Sequence, residues 1–448
     1  MSLPFGFSML RRCIVAAMLF VVAATATPAW AQFGFARSVG GVSISVDGVL
    51  GMSPAGEAKK LREEMLKSIK EASGELGGST ELRMVSLKGL DAAMAEAIAE
   101  GKPLSEEIRF LAGLQRVQYV FVYPEHNDIV IAGPAEGWQV NPQGAVVGVT
   151  TGLPVVQLED LIVAFRAVEE ARRGGITCSI DPTQEGMQQY TKVESTLNAF
   201  SPAAVSALEK AMGMQTITVT GVAPNTNFAR VLVAADYRMK RLAMEFDKAP
   251  VPGIPSYLSM TKSGKVTNAM PRWWLACNYE PVSRTEDNLG FELKGAGVKA
   301  MTEDDVINSD GTVKRTGKAS PQAQRWAEKL TEKYASLAAK DPVFGELRNA
   351  MDLCVIAALV RKEGLLEKAG CELPTLTTAE IKLESGDAPK VVPTKCAVTG
   401  SGRGMVILAS GGVEINSWQV VEKSEVKAEV ASTREQASPK AANSWWWQ

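Results

Sequence analysis

The sequence predicts an α+β protein in which helices pack on mixed β-sheets. Three observations lead there. Apolar residues recur at helical spacing in a few long segments, most clearly Phe228 to Phe246 and Pro342 to Leu366. Between them lie short runs rich in β-branched residues, bounded by Gly, Pro, Asn and Asp. The two kinds of element do not alternate regularly, and no repeat of fixed period is visible, which argues against a doubly wound or solenoid architecture.

From the N-terminus, Arg11 and Arg12 precede an apolar stretch, Ile14 to Ala26, and Ala29-Trp30-Ala31 follows as a small-x-small cleavage site. The stretch is too short to span a bilayer, which takes about 20 residues. Residues 1–31 are therefore expected to be a signal peptide for the general secretory route. The mature chain would begin at Gln32, in the periplasm or outside the cell. Loss of Arg11 and Arg12 leaves 46 basic against 50 acidic side chains. That near-balance excludes a dominant basic patch, and with it a nucleic-acid partner. No later apolar run could span a membrane, so the mature protein is expected to be soluble. Five cysteines remain, too sparse for disulfides to be the main source of stability. If one bridge forms, Cys371 and Cys396 are the expected pair, because they bracket a Pro- and Thr-rich loop.

Three regions follow. An N-terminal α+β region, 32–200, opens with Val42, Ile44 and Val46 alternating before the Asp47-Gly48 turn, then a charged helix from Pro54. A strand at Leu82 to Val85 and helices at Leu90 to Glu100 and Ser105 to Gly113 lead to β-formers, Val117 to Tyr123. The polar turn Pro124 to Asp128 makes a hairpin with Ile129 to Ala132. A further strand, Val146 to Val149, precedes a helix from Leu158 to Arg172, which Gly174-Gly175 stops before the strand Ile176 to Ile180. Thr183 to Met212 is helical with a break at Ser201-Pro202. A C-terminal α+β region, 201–420, holds the strand Thr216 to Thr220 and a helix over Phe228 to Phe246 that Asn225 or Thr226 can cap. Two or three strands lie between Arg272 and Lys299, then helices at Pro321 to Ala339 and Pro342 to Leu366, then strands at Met405 to Ala409 and Val413 to Ile415. Charges, Ala and Ser prevail over 421–448, which reads as a disordered tail.

The strings PEHNDIVIAGPAEGW, VVGVTTGLPVVQLEDL, GVAPNTNFARVLVAADYRMKR, PRWW and FGELRNAMDLCVIAALV occur together. In these the chain resembles a family of secreted planctomycete proteins, domain of unknown function 1598, over roughly Gly41 to Leu366. The resemblance implies a lineage and export. It brings no activity and no catalytic residues.

Absences narrow the chemistry. One histidine, His126, excludes HExxH sites and multi-histidine metal centres. No phosphate-binding loop, dinucleotide fingerprint or nucleophile elbow is present. Asp305 to Gly311 lacks the first and last carboxylates of a calcium loop, so a solvated acidic turn is expected. No cofactor and no metal are assigned.

The remaining candidates are charged. His126 could be a hydrolase base, although its polar turn suits a solvated side chain. On the Phe228 to Phe246 helix, Asp236 and Lys240 are one turn apart with the acid first, the favoured order for an ion pair. Asp352 opens the apolar face Val355, Ile356, Leu359, with Arg348 one turn earlier. A carboxylate there needs a cation, because an unpaired buried charge is prohibitively costly. Asp236, Arg238, Lys240, Arg348 and Asp352 are thus expected near one another, as an ion-pair network between two helices or as a pocket. Asp352 would face a basic group of the first helix or Arg348. Trp445, Trp446 and Trp447 suggest contact with an envelope polymer, a membrane interface or a partner. The reading is an exported, non-enzymatic binding or assembly protein of the periplasm or cell envelope. The alternative is a hydrolase with a carboxylate and Lys/Arg site in a cleft.

Overall fold

Seven strands make the larger of two main sheets, in the order Val313–Arg315, Gly297–Ile307, Ala269–Asn278, Ser410–Ile415, Ile176–Pro182, Met214–Thr220 and Val391–Pro393. The Ala269–Asn278 and Ser410–Ile415 strands run parallel, and every other neighbouring pair is antiparallel. The smaller sheet orders Ser424–Val426, Val282–Arg284, Gly290–Glu292, Tyr119–Tyr123, Asp128–Ala135 and Thr80–Ser86, with the first pair parallel and the rest antiparallel. The fold is α+β with mixed sheets. These coordinates come from a computed structural model that describes residues 42–44, 48–52, 55–72, 74–199, 201–261, 269–308, 310–379, 381, 386–399, 405–438 and 447. The expected signal peptide, residues 1–31, lies outside the described residues.

Both sheets draw strands from either side of residue 200, so the expected boundary there does not separate two sheets. Alternating strands can be paired over any sequence distance, which composition does not reveal.

Helices Asn227–Ala243, Pro321–Glu332 and Pro342–Lys362 pack against the larger sheet. Thr226 caps Asn227–Ala243, its hydroxyl accepting from the Ala229 amide at 3.2 Å. This helix packs on Ile176–Pro182 and Ser410–Ile415 and, on another side, on Pro342–Lys362. Its sequence is apolar on two sides, with Phe228, Leu232, Ala235, Met239, Leu242 and Phe246 on one stripe and Val233, Tyr237 and Met244 on a second, which suits a helix packed on more than one side. Pro342–Lys362 is buried almost end to end, as a helix apolar on all sides must be. The segment 158–172 is not one helix but two, Leu158–Arg166 and Val168–Gly174, joined at Ala167.

In the smaller sheet, alternation sends Val85, Val120, Val122, Ile129 and Ile131 into the main core. The opposite face, with Met84, Phe121, Tyr123 and Val130, is covered by Val430 and Ala437 of the segment around helix Ala428–Gln436. The Tyr123 hydroxyl donates to the Arg434 carbonyl at 2.9 Å, and Arg434 Nη2 donates to the Val122 carbonyl at 2.7 Å. The disordered tail expected from 421 is therefore corrected: residues 421–438 are folded. Charge-rich composition concealed two small apolar side chains at the right spacing to seal an aromatic sheet face. Trp447 forms an antiparallel bridge with Val85 and packs half-buried against the protein's own core. Trp445 and Trp446 lie outside the described residues.

Cys371 and Cys396 are both free. They belong to different apolar clusters, which corrects the expected bridge. Among the described residues, no helix is long and apolar enough to cross a membrane.

Candidate functional site

Asp352 has no exposed surface. Its partner is Arg116, which sequence reasoning did not single out. Arg116 Nε donates to Oδ2 at 2.8 Å and Nη2 to Oδ1 at 2.9 Å, a two-pronged pair. The Tyr279 hydroxyl donates to Oδ1 at 2.7 Å, and Arg116 Nη1 reaches the Gly295 carbonyl at 3.1 Å. Arg116 stands just before the smaller sheet's Tyr119–Tyr123 strand, and Tyr279 just after the larger sheet's Ala269–Asn278 strand. One carboxylate therefore ties both sheets to the central helix. Burial acts to lower the Arg116 pKa, but Asp352 overrides it and the value is raised. Burial, and then Asp352, pushes the Tyr279 hydroxyl well above its ordinary range. Arg348 does not neutralise Asp352 as expected. Its Nε and Nη2 are buried without a partner, and burial followed by the neighbouring Arg116 lowers its pKa.

Asp236 is equally buried but less completely satisfied. Lys240 Nζ donates to its Oδ2 at 2.9 Å, and also to the carbonyls of Ile180 at 3.2 Å and Gly411 at 3.3 Å. Oδ1 has no partner. Burial, offset in part by Lys240, pushes this carboxyl up to about 6. The expected ion pair is present, against the core side of the larger sheet. Arg238 belongs to a third set: Nε and Nη2 donate to Asp341 Oδ2 at 3.1 and 2.7 Å, and Nη1 donates to Asp247. Arg241 also holds Asp247, at 2.7 and 2.9 Å. Four of the five residues expected as one group thus fall into three separate sets, and Arg348 joins none of them. Helical spacing shows which face a residue occupies, but not which distant segment covers that face.

His126 ends the short turn Pro124–His126, half-buried, with its ring edge-on to Tyr123 at 6.4 Å between centroids. Its backbone carbonyl accepts from Lys88 Nζ at 3.1 Å. Asp305 to Gly311 spans the hairpin between Gly297–Ile307 and Val313–Arg315, where the Asn308 amide donates to the Thr312 carbonyl at 2.8 Å. Among the described residues, no group of three or more His, Cys, Asp and Glu side chains is placed to hold a metal ion.

The open chemistry lies on the outer face of the larger sheet. Strand alternation turns Ile176, Cys178, Ile180, Trp273, Leu275 and Val413 inward. The intervening side chains face outward in register. One row pairs Thr220, Thr177, Glu414, Ala276 and Lys299, and the next pairs Thr218, Ser179, Gly412, Trp274 and Met301. Arg272 pairs with Ser410 and Glu303 in the row beyond. Short side chains on the Met214–Thr220, Ile176–Pro182 and Ser410–Ile415 strands make a low floor, above which Trp274 stands. Gly412 is required there: a Cβ would come within 1.7 Å of the Cys178 carbonyl oxygen. The Arg272 guanidinium lies 4.9 Å from the Trp274 ring centroid and 3.8 Å from Glu303.

Two clefts adjoin on this face, of about 680 and 440 Å³, and both are bordered by Trp274 and Glu414. Together they form a trough. Asp305, at one end, has an Oδ1 with no protein partner, and burial raises its pKa.

Residues 178–257 match the family described as protein of unknown function (DUF1598). They include Ser179, Asp181, Thr216 and Thr218 of the outer face, together with the Asp236–Lys240 pair beneath it. No curated protein and no solved structure matches the chain.

A usable signal for the trough was the PRWW string. In a strand, adjacent tryptophans must point to opposite faces. One, Trp273, is core; the other, Trp274, is site. The PAEGW and TTGLP strings are also explained, because Glu136 accepts from the Thr150 and Thr151 amides at 3.0 and 2.9 Å and fixes that turn.

Proposed function

We propose that this is an exported, non-catalytic binding protein of the periplasm or cell envelope, which holds its ligand in the trough on the outer face of the larger sheet. The observation that carries the reading is the division of labour among the charged residues. Asp352 and Asp236 are enclosed and tied to cations, where they serve the fold. The two clefts are open, carry many polar side chains and share Trp274 and Glu414 on their borders. An open groove with one aromatic pillar and convergent polar groups is what a binding surface requires. The signal-peptide pattern of residues 1–31 supports export.

The test is to express the whole chain, sequence the N-terminus of the exported form, and sediment that form with isolated envelope material. The reading expects Gln32 as the first residue and retention on envelopes that Trp274→Ala abolishes. Protein left in the cytoplasm, or retention indifferent to Trp274, contradicts it. One observation favours a hydrolase as the second reading: Glu303 and Asp305 border the same cleft as Arg272 and Arg315, and Asp305 is pushed toward its neutral form. Release of soluble products from envelope material during the same incubation, lost in Asp305→Asn, would replace binding with catalysis.

A further inference from the structure

We infer that the trough takes a neutral oligosaccharide chain, an inference that rests on the binding function proposed above and names its ligand. Five observations point to this chemistry. The two clefts are lined by five carboxylates and four Lys or Arg side chains, so the surface is nearly balanced. A polyanion such as nucleic acid calls for a dominant basic surface, and a polycation for a dominant acidic one. Interleaved acceptors and donors suit a ligand whose groups both give and accept hydrogen bonds, as sugar hydroxyls do.

The floor carries hydroxyls of its own. Thr177 and Thr220 are hydrogen-bonded to each other at 2.7 Å, and Ser179 and Thr218 are paired in the next row. Short hydroxylated side chains let a sugar ring lie close to the sheet. Asp305 Oδ1, buried and without a protein partner, is an acceptor left for a ligand hydroxyl.

Trp274 supplies the apolar element. The Arg272 guanidinium lies over one face of its indole, so the sugar's C–H side would stack on the other face, with the guanidinium in reach of hydroxyls. An extended peptide that adds a strand would pair with a sheet edge, whereas this is a sheet face. The length also fits a chain. Each cleft alone falls within the roughly 300–1,000 Å³ of an ordinary small-molecule site. Joined at Trp274 and Glu414, they accommodate several sugar units in line.

The experiment is calorimetric titration of the purified chain with β-1,4-linked hexamers of glucose, N-acetylglucosamine, mannose and xylose, and with heparin as the polyanion. Envelope sedimentation is run in parallel. Two variants are compared with the parent: Trp274→Ala, which removes the pillar, and Met301→Arg, which fills the trough from the neighbouring strand. The control is Lys60→Ala, on the exposed helix Ala55–Ser68. At least one neutral hexamer is expected to bind, at least tenfold more weakly to both trough variants and unchanged in the control. If no neutral hexamer binds, or heparin binds as well as the best of them, the oligosaccharide inference is overturned. In that case, envelope retention that still depends on Trp274 leaves the binding function standing. Retention that both trough variants preserve removes the two together.

Discussion

The two sheets are built from similar strands, yet they end in opposite situations. In the smaller sheet both faces are covered, one by the main core and the other by Val430 and Ala437. In the larger sheet one face is core, while the other, along the clefts, carries mostly polar or small side chains, Thr, Ser, Gly, Ala, Arg, Lys and Glu, with Trp274 and Met301 among them. The Tyr119–Tyr123 strand, YVFVY, is apolar on both faces, as a strand enclosed from both sides should be. The Ile176–Pro182 strand, ITCSIDP, alternates apolar and polar, as a strand with one wet face should. The lesson is that a sheet's outer residues show whether it is to be covered or used.

The strongest blow to both sheets falls on their common anchor. Asp352→Asn is expected to cost about 3–5 kcal/mol, because buried Arg116 loses its charged partner. Chemical denaturation reads the change. Replacing the pair together, Arg116→Met with Asp352→Leu, should recover part of the loss, since neither member of the pair is left behind unpaired. A near-zero effect of the single variant would mean that the carboxylate does not hold the sheets. Next comes Phe121→Ala on the covered face, expected to cost about 3–4 kcal/mol through lost burial and the cavity left behind. A loss below about 1 kcal/mol would show that the C-terminal helix does not seal that face.

A smaller effect is tied to pH. The Asp236 carboxyl, raised to about 6 in the folded chain, keeps a proton that the unfolded chain has already released. Its contribution is therefore full below about pH 4 and is lost as pH rises through about 6, at no more than about 1.4 kcal/mol per pH unit. Denaturation midpoints of the parent minus those of Asp236→Asn should fall over this window. A difference that rises with pH would give Asp236 the behaviour of an ordinary well-paired carboxylate. The smallest stability effect is expected at Trp274→Ala, about 1 kcal/mol, because the half-buried side chain stands on the open face rather than in the core. A loss as large as that of Phe121→Ala would make Trp274 a structural residue and erase the contrast between the sheets.

Much of the fold was legible because its signals are local. The Thr226 cap, the two-sided apolar pattern of Asn227–Ala243 and the hairpin around Asn127 all depend on residues near one another in the chain. So does the Asp236–Lys240 pair, one turn apart. Arg116 and Asp352 were not legible as partners, because 236 positions separate them and neither residue type specifies the other. The folded tail was missed for a related reason: Val430 means little until Phe121 and Tyr123 are placed opposite it. The trough required the register of five strands, which come from three separate stretches of the chain, 176–220, 269–307 and 410–415. Only the paired tryptophans of PRWW hinted that one strand had a wet face with an aromatic on it.

Oxidative footprinting of Trp274 and Trp273, with and without envelope material, tests the central claim most directly. The two indoles are adjacent in sequence and lie on opposite faces of one strand, so each is the other's control. The account predicts that Trp274 is oxidised in the free protein and protected when envelope material is bound, while Trp273 is protected in both. Unchanged oxidation of Trp274 in bound protein, with protection appearing on another surface, would contradict it.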